Sequence, residues 1–272
     1  MNRRERDGTS DGPHGEAATY QRDGHVATIT YHRPEAANTV NGAMRRDLNA
    51  AWDRFMADEQ AWVAILTGAG DRHFCGGADL RDSGGSTGDF AGTFWEIPTV
   101  NSFESGLEVF KPTIAAVNGA CVGYGLTAVV SCDFVVASEQ ATFSWPEVTI
   151  GIPTIVGAIR LPRKVAWADA MELLLTGEPI DARKALDIGL AWRVVPHHDL
   201  MAEARALADR LCRAAPLAAR TTKEVAVRTR DMGWTEAVRF GETIRRVAGA
   251  THDATEGRAA WADKRPPEWE GR

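Results

Sequence analysis

Two apolar runs, AWVAILTG at 61–68 and TIAAVNG at 113–119, each lead straight into a glycine-bearing loop, GAGDRHFCGGADL after the first and NGACVGYGL after the second. Neither run alternates polar with apolar residues, so each predicts a strand buried on both faces. Ahead of them, Ala27, Ile29 and Tyr31 alternate against Thr28 and Thr30 behind Asp23-Gly24, which predicts a hairpin. Met44, Leu48, Ala51, Trp52 and Phe55 then recur at helical spacing and predict a helix with one buried stripe. Hairpin, helix, strand, loop and strand in this order is the grammar of an α/β fold.

Further along, Arg81 to Pro98 is rich in Gly, Ser, Thr and Asp and carries Phe90, Phe94 and Trp95. Such a stretch is a surface loop, or a lid whose aromatics cap a pocket. A helix is expected around 101–110, and strands at DFVVAS and ATFSWPE on either side of a turn at Glu139-Gln140. Beyond Pro153 helical segments predominate, near 155–162, 166–175, 181–188, 199–214, 216–231, 234–248 and 252–263. One strand, AWRVV at 191–195, interrupts them. The expected organisation is a disordered tail over 1–16, a sheet-containing core over 17–198 and a helical region over 199–272.

With 272 residues, of which 44% are hydrophobic, the chain can bury a full core. A net charge of −6 argues against nucleic acid as a partner. Cys75, Cys121, Cys132 and Cys212 form no C-x-x-C pair and have no zinc-like histidine spacing, so reduced thiols in a cytoplasmic protein are expected, with no metal. No apolar run reaches the ~18 residues of a membrane span. Arg3-Arg4 is followed by no apolar signal segment, and no G-x-S-x-G elbow is present.

The chemistry therefore concentrates in the two loops. Glycines make backbone amides approachable, and the second loop opens a helix near Tyr124, whose positive end favours developing negative charge. One N–H from each loop aimed at one oxygen would form an oxyanion hole; otherwise both loops are only tight turns. Gly123 to Ala128 also matches G-x-G-x-x-A, the dinucleotide fingerprint. That alternative needs an acidic residue ending a parallel strand about 20 residues on, and Glu147 sits in Trp-Pro-Glu, where proline disfavours a central strand.

The segments HFCGGADL (73–80) and AAVNGACVGYGLTAVVSCDFVVASEQATFSWPEVTIGIP (115–153) resemble the enoyl-CoA hydratase/isomerase, or crotonase, family. RPEAANTVN (33–41) and EGRAAWADKRPPEWEG (256–271) resemble its N- and C-terminal signatures in the expected order. The resemblance implies a crotonase-like ββα spiral core with a helical C-terminal trimerisation region, assembled as a homotrimer or a dimer of trimers. It implies an acyl-CoA thioester as substrate, with no cofactor beyond the coenzyme A that the substrate carries. The two enolate-stabilising amides map to Ala78 and Tyr124, flanked by Gly77, Asp79, Leu80 and Gly123.

Family hydratases commonly use two glutamates. Here one is present as Glu147, while the other position is Thr127, whose hydroxyl is able to hold a water but is no base near neutral pH. The single carboxylate tilts the expectation towards moving a double bond, with hydration as the other outcome. A catalytically silent acyl-CoA-binding scaffold is the rival reading. Asp79 and Asp133 are expected to be structural, and Glu96 to reach the pocket only if its loop folds inward. Many relatives carry a basic residue just after Arg33-Pro34, but this chain has Glu35, Ala36 and Ala37. The CoA phosphates then fall to Arg33, or to Lys264 and Arg265 of a neighbouring subunit. Trp261 stands where relatives contact adenine, or packs in the core. Gly151, Ile152, Pro153 and Thr154 depart from a more glycine-rich family segment and are expected to reshape the acyl pocket.

Overall fold

A computed structural model describes residues 16–81 and 102–272. Most of the expected tail, the lid residues Phe90, Phe94 and Trp95, and Glu96 lie outside the described residues.

The chain opens with the hairpin of β1 (Ala18–Asp23) and β2 (Val26–Tyr31). Asp23 pairs with Val26, so the turn is Gly24-His25, one residue later than Asp23-Gly24. Helix α1 (Gly42–Ala57) starts where the Asn41 side chain accepts the Met44 N–H, and it buries Met44, Leu48, Ala51, Trp52 and Phe55, the stripe its spacing predicts. Next come β3 (Val63–Gly68), β4 (His73–Cys75), β5 (Thr113–Val117), β6 (Ala120–Val122), α2 (Tyr124–Ser131), β7 (Phe134–Ser138) and β8 (Thr142–Ser144). The remaining elements are α3 (Val156–Arg160), α4 (Trp167–Thr176), β9 (Ile180–Asp181), α5 (Ala182–Asp187), β10 (Arg193–Val195), α6 (Leu200–Leu211), α7 (Pro216–Arg228), α8 (Trp234–Ala248) and α9 (His252–Asp263).

Two sheets result. One runs β1-β2-β3-β5-β7-β10, parallel except for the hairpin; the other runs β4-β6-β8-β9, parallel except for β9. Successive strand pairs, β3 with β4, β5 with β6 and β7 with β8, each place one strand in each sheet, so the chain climbs as a spiral of ββ turns. Register lines up Ile29, Leu66, Ala115 and Val135 on one face of the larger sheet and Ile65 and Ile114 on the other. The second face is covered by α6 through Leu200, Ala204, Leu207 and Ala208, spaced to lie on one side of the helix. Each such large side chain contributes about 2 kcal/mol on burial.

The smaller sheet positions the site. Cys75 of β4 pairs with Cys121 of β6, so Gly77 and Gly123, each two residues further on, emerge side by side. Strands of two or three residues give no periodic signal, which is why β4, β6 and β9 were not expected from the sequence. The helix expected around 101–110 is absent over its described part: a 3-10 turn at Phe103–Ser105 ends at Gly106, whose φ of 92° leaves the helical region. The AWRVV strand shrinks to Arg193–Val195.

Candidate active site

The first loop is held by one parallel bridge, Val40 to Ala78. Its bonds run from the Val40 N–H to the Gly77 carbonyl (2.8 Å) and from the Asp79 N–H to the Val40 carbonyl (3.0 Å). In such a bridge the central residue turns its own N–H away from the partner, so the Ala78 N–H faces the opposite side and meets no acceptor among the described residues. Asn38, fully buried, braces this loop by donating to the carbonyls of Ala69 and His73 at 2.9 Å each. Asn118 does the same from the second loop, donating to the carbonyls of Gly70 and His73.

The second loop crosses the first backbone to backbone. Gly77 has φ of 89°, a conformation that favours glycine, and a Cβ there would lie tightly, 3.2 Å from the Val122 carbonyl oxygen. Tyr124 is the first residue of α2, and the first intrahelical bond falls later, from the Thr127 N–H to the Gly123 carbonyl at 2.9 Å. The Tyr124 N–H is thus an open helix-terminal donor. The tyrosine ring lies away from this task, with the Arg45 guanidinium 5.2 Å from its centroid.

Both loops line one cavity of about 450 Å³. It is bounded by Gly77, Ala78, Leu80, Gly123, Tyr124 and Thr127, and opposite them stands Glu147 on the 3-10 turn Pro146–Ile150. Ile150, Ile152, Pro153, Thr154 and Ile155 close the apolar end, so three of the four residues expected to reshape the pocket line it, and Gly151 does not. Among the described lining residues Glu147 alone is charged. Its Oε2 is buried without a hydrogen-bond partner, and burial raises its pKa, opposed only by a local backbone hydrogen bond. A carboxyl held this way has moved towards the range in which it both takes and returns a proton. Glu147 stands on the turn that follows β8 and faces the cavity.

A second cleft of about 740 Å³ shares Ala78 and Leu80 with the first and is lined by Arg33, Ala36 and Asp79. Asp79 is held locally: its carboxylate accepts from the Arg81 N–H, from Arg33 at 3.3 Å and from the Thr39 hydroxyl, which together hold its pKa below the usual value. Asp133 accepts from the Thr113 N–H and from Lys223 and lines neither cavity. Arg33 also donates to the Thr39 carbonyl (2.8 Å), so its guanidinium is fixed between its own segment and Asp79 of the first loop. Trp261 and Lys264, at the far end of α9, line neither cavity. Trp261 is 85% exposed, which corrects the core-packing alternative: α9 turns that side chain outwards.

Sequence reasoning missed Trp145. Its indole N–H donates to the Thr127 hydroxyl at 3.2 Å beneath the cavity, and nothing in the spacing of the two residues announces the bond.

A family model described as Enoyl-CoA hydratase/isomerase matches residues 21–272. The chain is 36% identical over 254 residues to the (E)-benzylidenesuccinyl-CoA hydratase of Thauera aromatica, covering 93% of this chain and 98% of that one. It is also 36% identical to the carnitinyl-CoA dehydratase of Proteus mirabilis, with 92% and 96% covered. Among solved structures, an enoyl-CoA hydratase from Mycobacterium tuberculosis superposes with a TM-score of 0.85 at 31% identity, over 95% of this chain and all of that one.

Proposed function

Because the chain belongs to the enoyl-CoA hydratase/isomerase family and is an acyl-CoA-processing enzyme, we propose that it adds water to, or removes it from, an acyl-CoA thioester through a stabilised enolate. In this reading the N–H groups of Ala78 and Tyr124 both donate to the thioester oxygen. Negative charge grows on that oxygen in the transition state, so prealigned donors bind the transition state more strongly than the ground state; losing one typically costs about 3–4 kcal/mol. Glu147 carries the proton between the water and the α carbon. The observation that supports this most is the meeting of two acceptor-free backbone donors and one lone, half-buried carboxyl in a single apolar cavity.

Hydration is favoured over isomerisation by the two relatives, one a hydratase and one a dehydratase. Isomerisation by the same carboxylate remains the second reading, supported by the threonine at the position where family hydratases carry a second glutamate. Mass-spectrometric product analysis across 2-enoyl- and 3-enoyl-CoA thioesters separates them, since hydration adds a water and isomerisation leaves the mass unchanged. Saturable binding with no product from either class would favour the silent scaffold instead.

The second cleft is assigned to the coenzyme A portion, with Arg33 beside its phosphates. The C-terminal helices are assigned to a homotrimer or a dimer of trimers. Helix α8 buries no residue in the single chain and exposes Trp234 at 84%, and Trp261 is open to a neighbour. In that assembly Trp261 and Lys264 approach a neighbouring subunit's cleft. No helix among the described residues is long and apolar enough to cross a membrane. We assign the enzyme to the cytoplasm, where its four free cysteines stay reduced.

A further inference from the structure

Thr127 lies one turn into α2, is 2% exposed and lines the cavity that holds Glu147. Its oxygen accepts the indole N–H of Trp145 at 3.2 Å. Trp145 is fully buried two residues before Glu147, and Gly157 lies flat against it: a Cβ there would fall 2.8 Å from two ring carbons. An indole nitrogen only donates, so this bond occupies the hydroxyl as an acceptor and sends its hydrogen elsewhere.

Helical hydroxyls in this chain commonly return that hydrogen to the carbonyl four residues back. Ser131 does so to Thr127 (2.8 Å), Thr221 to Leu217 (2.8 Å) and Thr229 to Val225 (2.7 Å). Thr127 makes no such bond: the Gly123 carbonyl accepts its backbone N–H but not its hydroxyl. Among the described residues the Thr127 hydroxyl hydrogen has no acceptor, although the side chain is almost wholly shielded from solvent. A buried unused donor is costly unless a ligand fills it.

We propose that Thr127, held by Trp145, is a fixed hydrogen-bond donor of the reaction site and grips the oxygen that adds to, or leaves from, the β carbon. The proposal rests on the reading that Glu147 moves the proton. In hydration, water donates one hydrogen to a Glu147 oxygen and accepts the Thr127 hydrogen. Its remaining lone pair forms the C–O bond at the β carbon as the π electrons move onto the thioester oxygen. Glu147 then returns the same proton to the α carbon, giving the 3-hydroxyacyl thioester with the carboxylate restored. In the reverse direction the departing hydroxyl gains negative charge, and a donor stabilises it where an acceptor would oppose it. Thr127 with Trp145 thereby replaces the second carboxylate: proton storage stays with Glu147, and oxygen placement passes to a neutral pair.

The test compares Thr127→Val, Thr127→Ser and Trp145→Phe in two assays. One is hydration of crotonyl-CoA and longer straight-chain 2-enoyl-CoA thioesters. The other is exchange of the α hydrogens of butyryl-CoA with deuterium oxide, which needs the backbone donors and Glu147 but no oxygen at the β carbon. Thr127→Val is expected to lower hydration kcat about a hundredfold while exchange stays within about threefold, and Thr127→Ser to keep hydration. Trp145→Phe, which frees the hydroxyl to rotate, is expected to lower hydration kcat about tenfold with KM unchanged. If Thr127→Val does not fold, Thr127→Ala supplies the same comparison. Near-wild-type hydration by the valine or alanine variant, loss of hydration and exchange in equal proportion, or a wild-type enzyme that exchanges but hydrates none of these thioesters would each overturn the proposal. Failure of the underlying reading is seen separately, as a Glu147→Gln variant that retains exchange.

Discussion

A Cβ built on Gly123 would fall 2.5 Å from Oε1 of Glu147 and 3.6 Å from the Cα of Gly77. The glycine at the head of α2 therefore makes room on two sides at once, for the crossing loop and for the one carboxyl of the cavity. Its φ of 54° adds a conformational demand that other residues meet only with strain.

Gly123→Ala is accordingly expected to destabilise the fold by roughly 1–3 kcal/mol and to lower kcat by at least about tenfold, because the methyl group displaces Glu147. Urea denaturation beside turnover measurements checks both parts. Unchanged kcat would mean that the carboxyl does not have to stand where it does.

Glu147→Gln is expected to remove about two to four orders of magnitude of turnover while calorimetry still detects binding of a saturated acyl-CoA. It also tests the electrostatics. Burial raises the Glu147 pKa in the folded state, so the stability it contributes is present below the unfolded value and is lost as pH rises through the folded one. The glutamine variant should therefore melt at the same temperature as wild type or higher near neutral pH. In the wild type, the acid limb of the rate profile should lie above the ordinary carboxylate range, with activity rising with pH through it.

Asp79 tethers the loop that presents the Ala78 N–H, through Arg81, Arg33 and Thr39. Asp79→Ala is expected to lower kcat about tenfold and to raise KM, since a misaligned donor weakens both states of the thioester oxygen. Steady-state kinetics that show KM alone affected would assign Asp79 to coenzyme binding only.

Glu256 secures the C-terminal segment. Its carboxylate takes two bonds from Arg265 (2.6 and 2.8 Å) and one from the Glu268 N–H (2.8 Å), and these hold its pKa at about 2 against an ordinary 4.5. A depressed pKa gives stability that is fully present above the unfolded value and lost as pH falls through the folded one. Wild type should thus lose stability between about pH 4.5 and 2 more steeply than Glu256→Gln, as read from urea midpoints across that window.

Some of this protein was set by local patterning. The stripe of α1, the hairpin, the buried strands at 63–68 and 113–117 and most C-terminal helices follow from periods of two and 3.6 residues, which record the face that meets the core. The two glycine loops were legible as residue types following buried strands, whereas Glu147 stood out only through the resemblance of its Pro-Glu segment to the family. Tertiary structure alone decided how they combine. The smaller sheet is made of two- and three-residue strands, too short for any period, and it exists because Cys75, Cys121 and Phe143 pair across long stretches of chain. That pairing brings Gly77 against Gly123 and seats Glu147 beside them. Burial of Trp145 under the same cavity turns the Thr127 hydroxyl into a donor with no partner. Hydrogen-bond satisfaction and close packing act between neighbours in space, so the direction a hydroxyl points is settled only once the chain has closed around it.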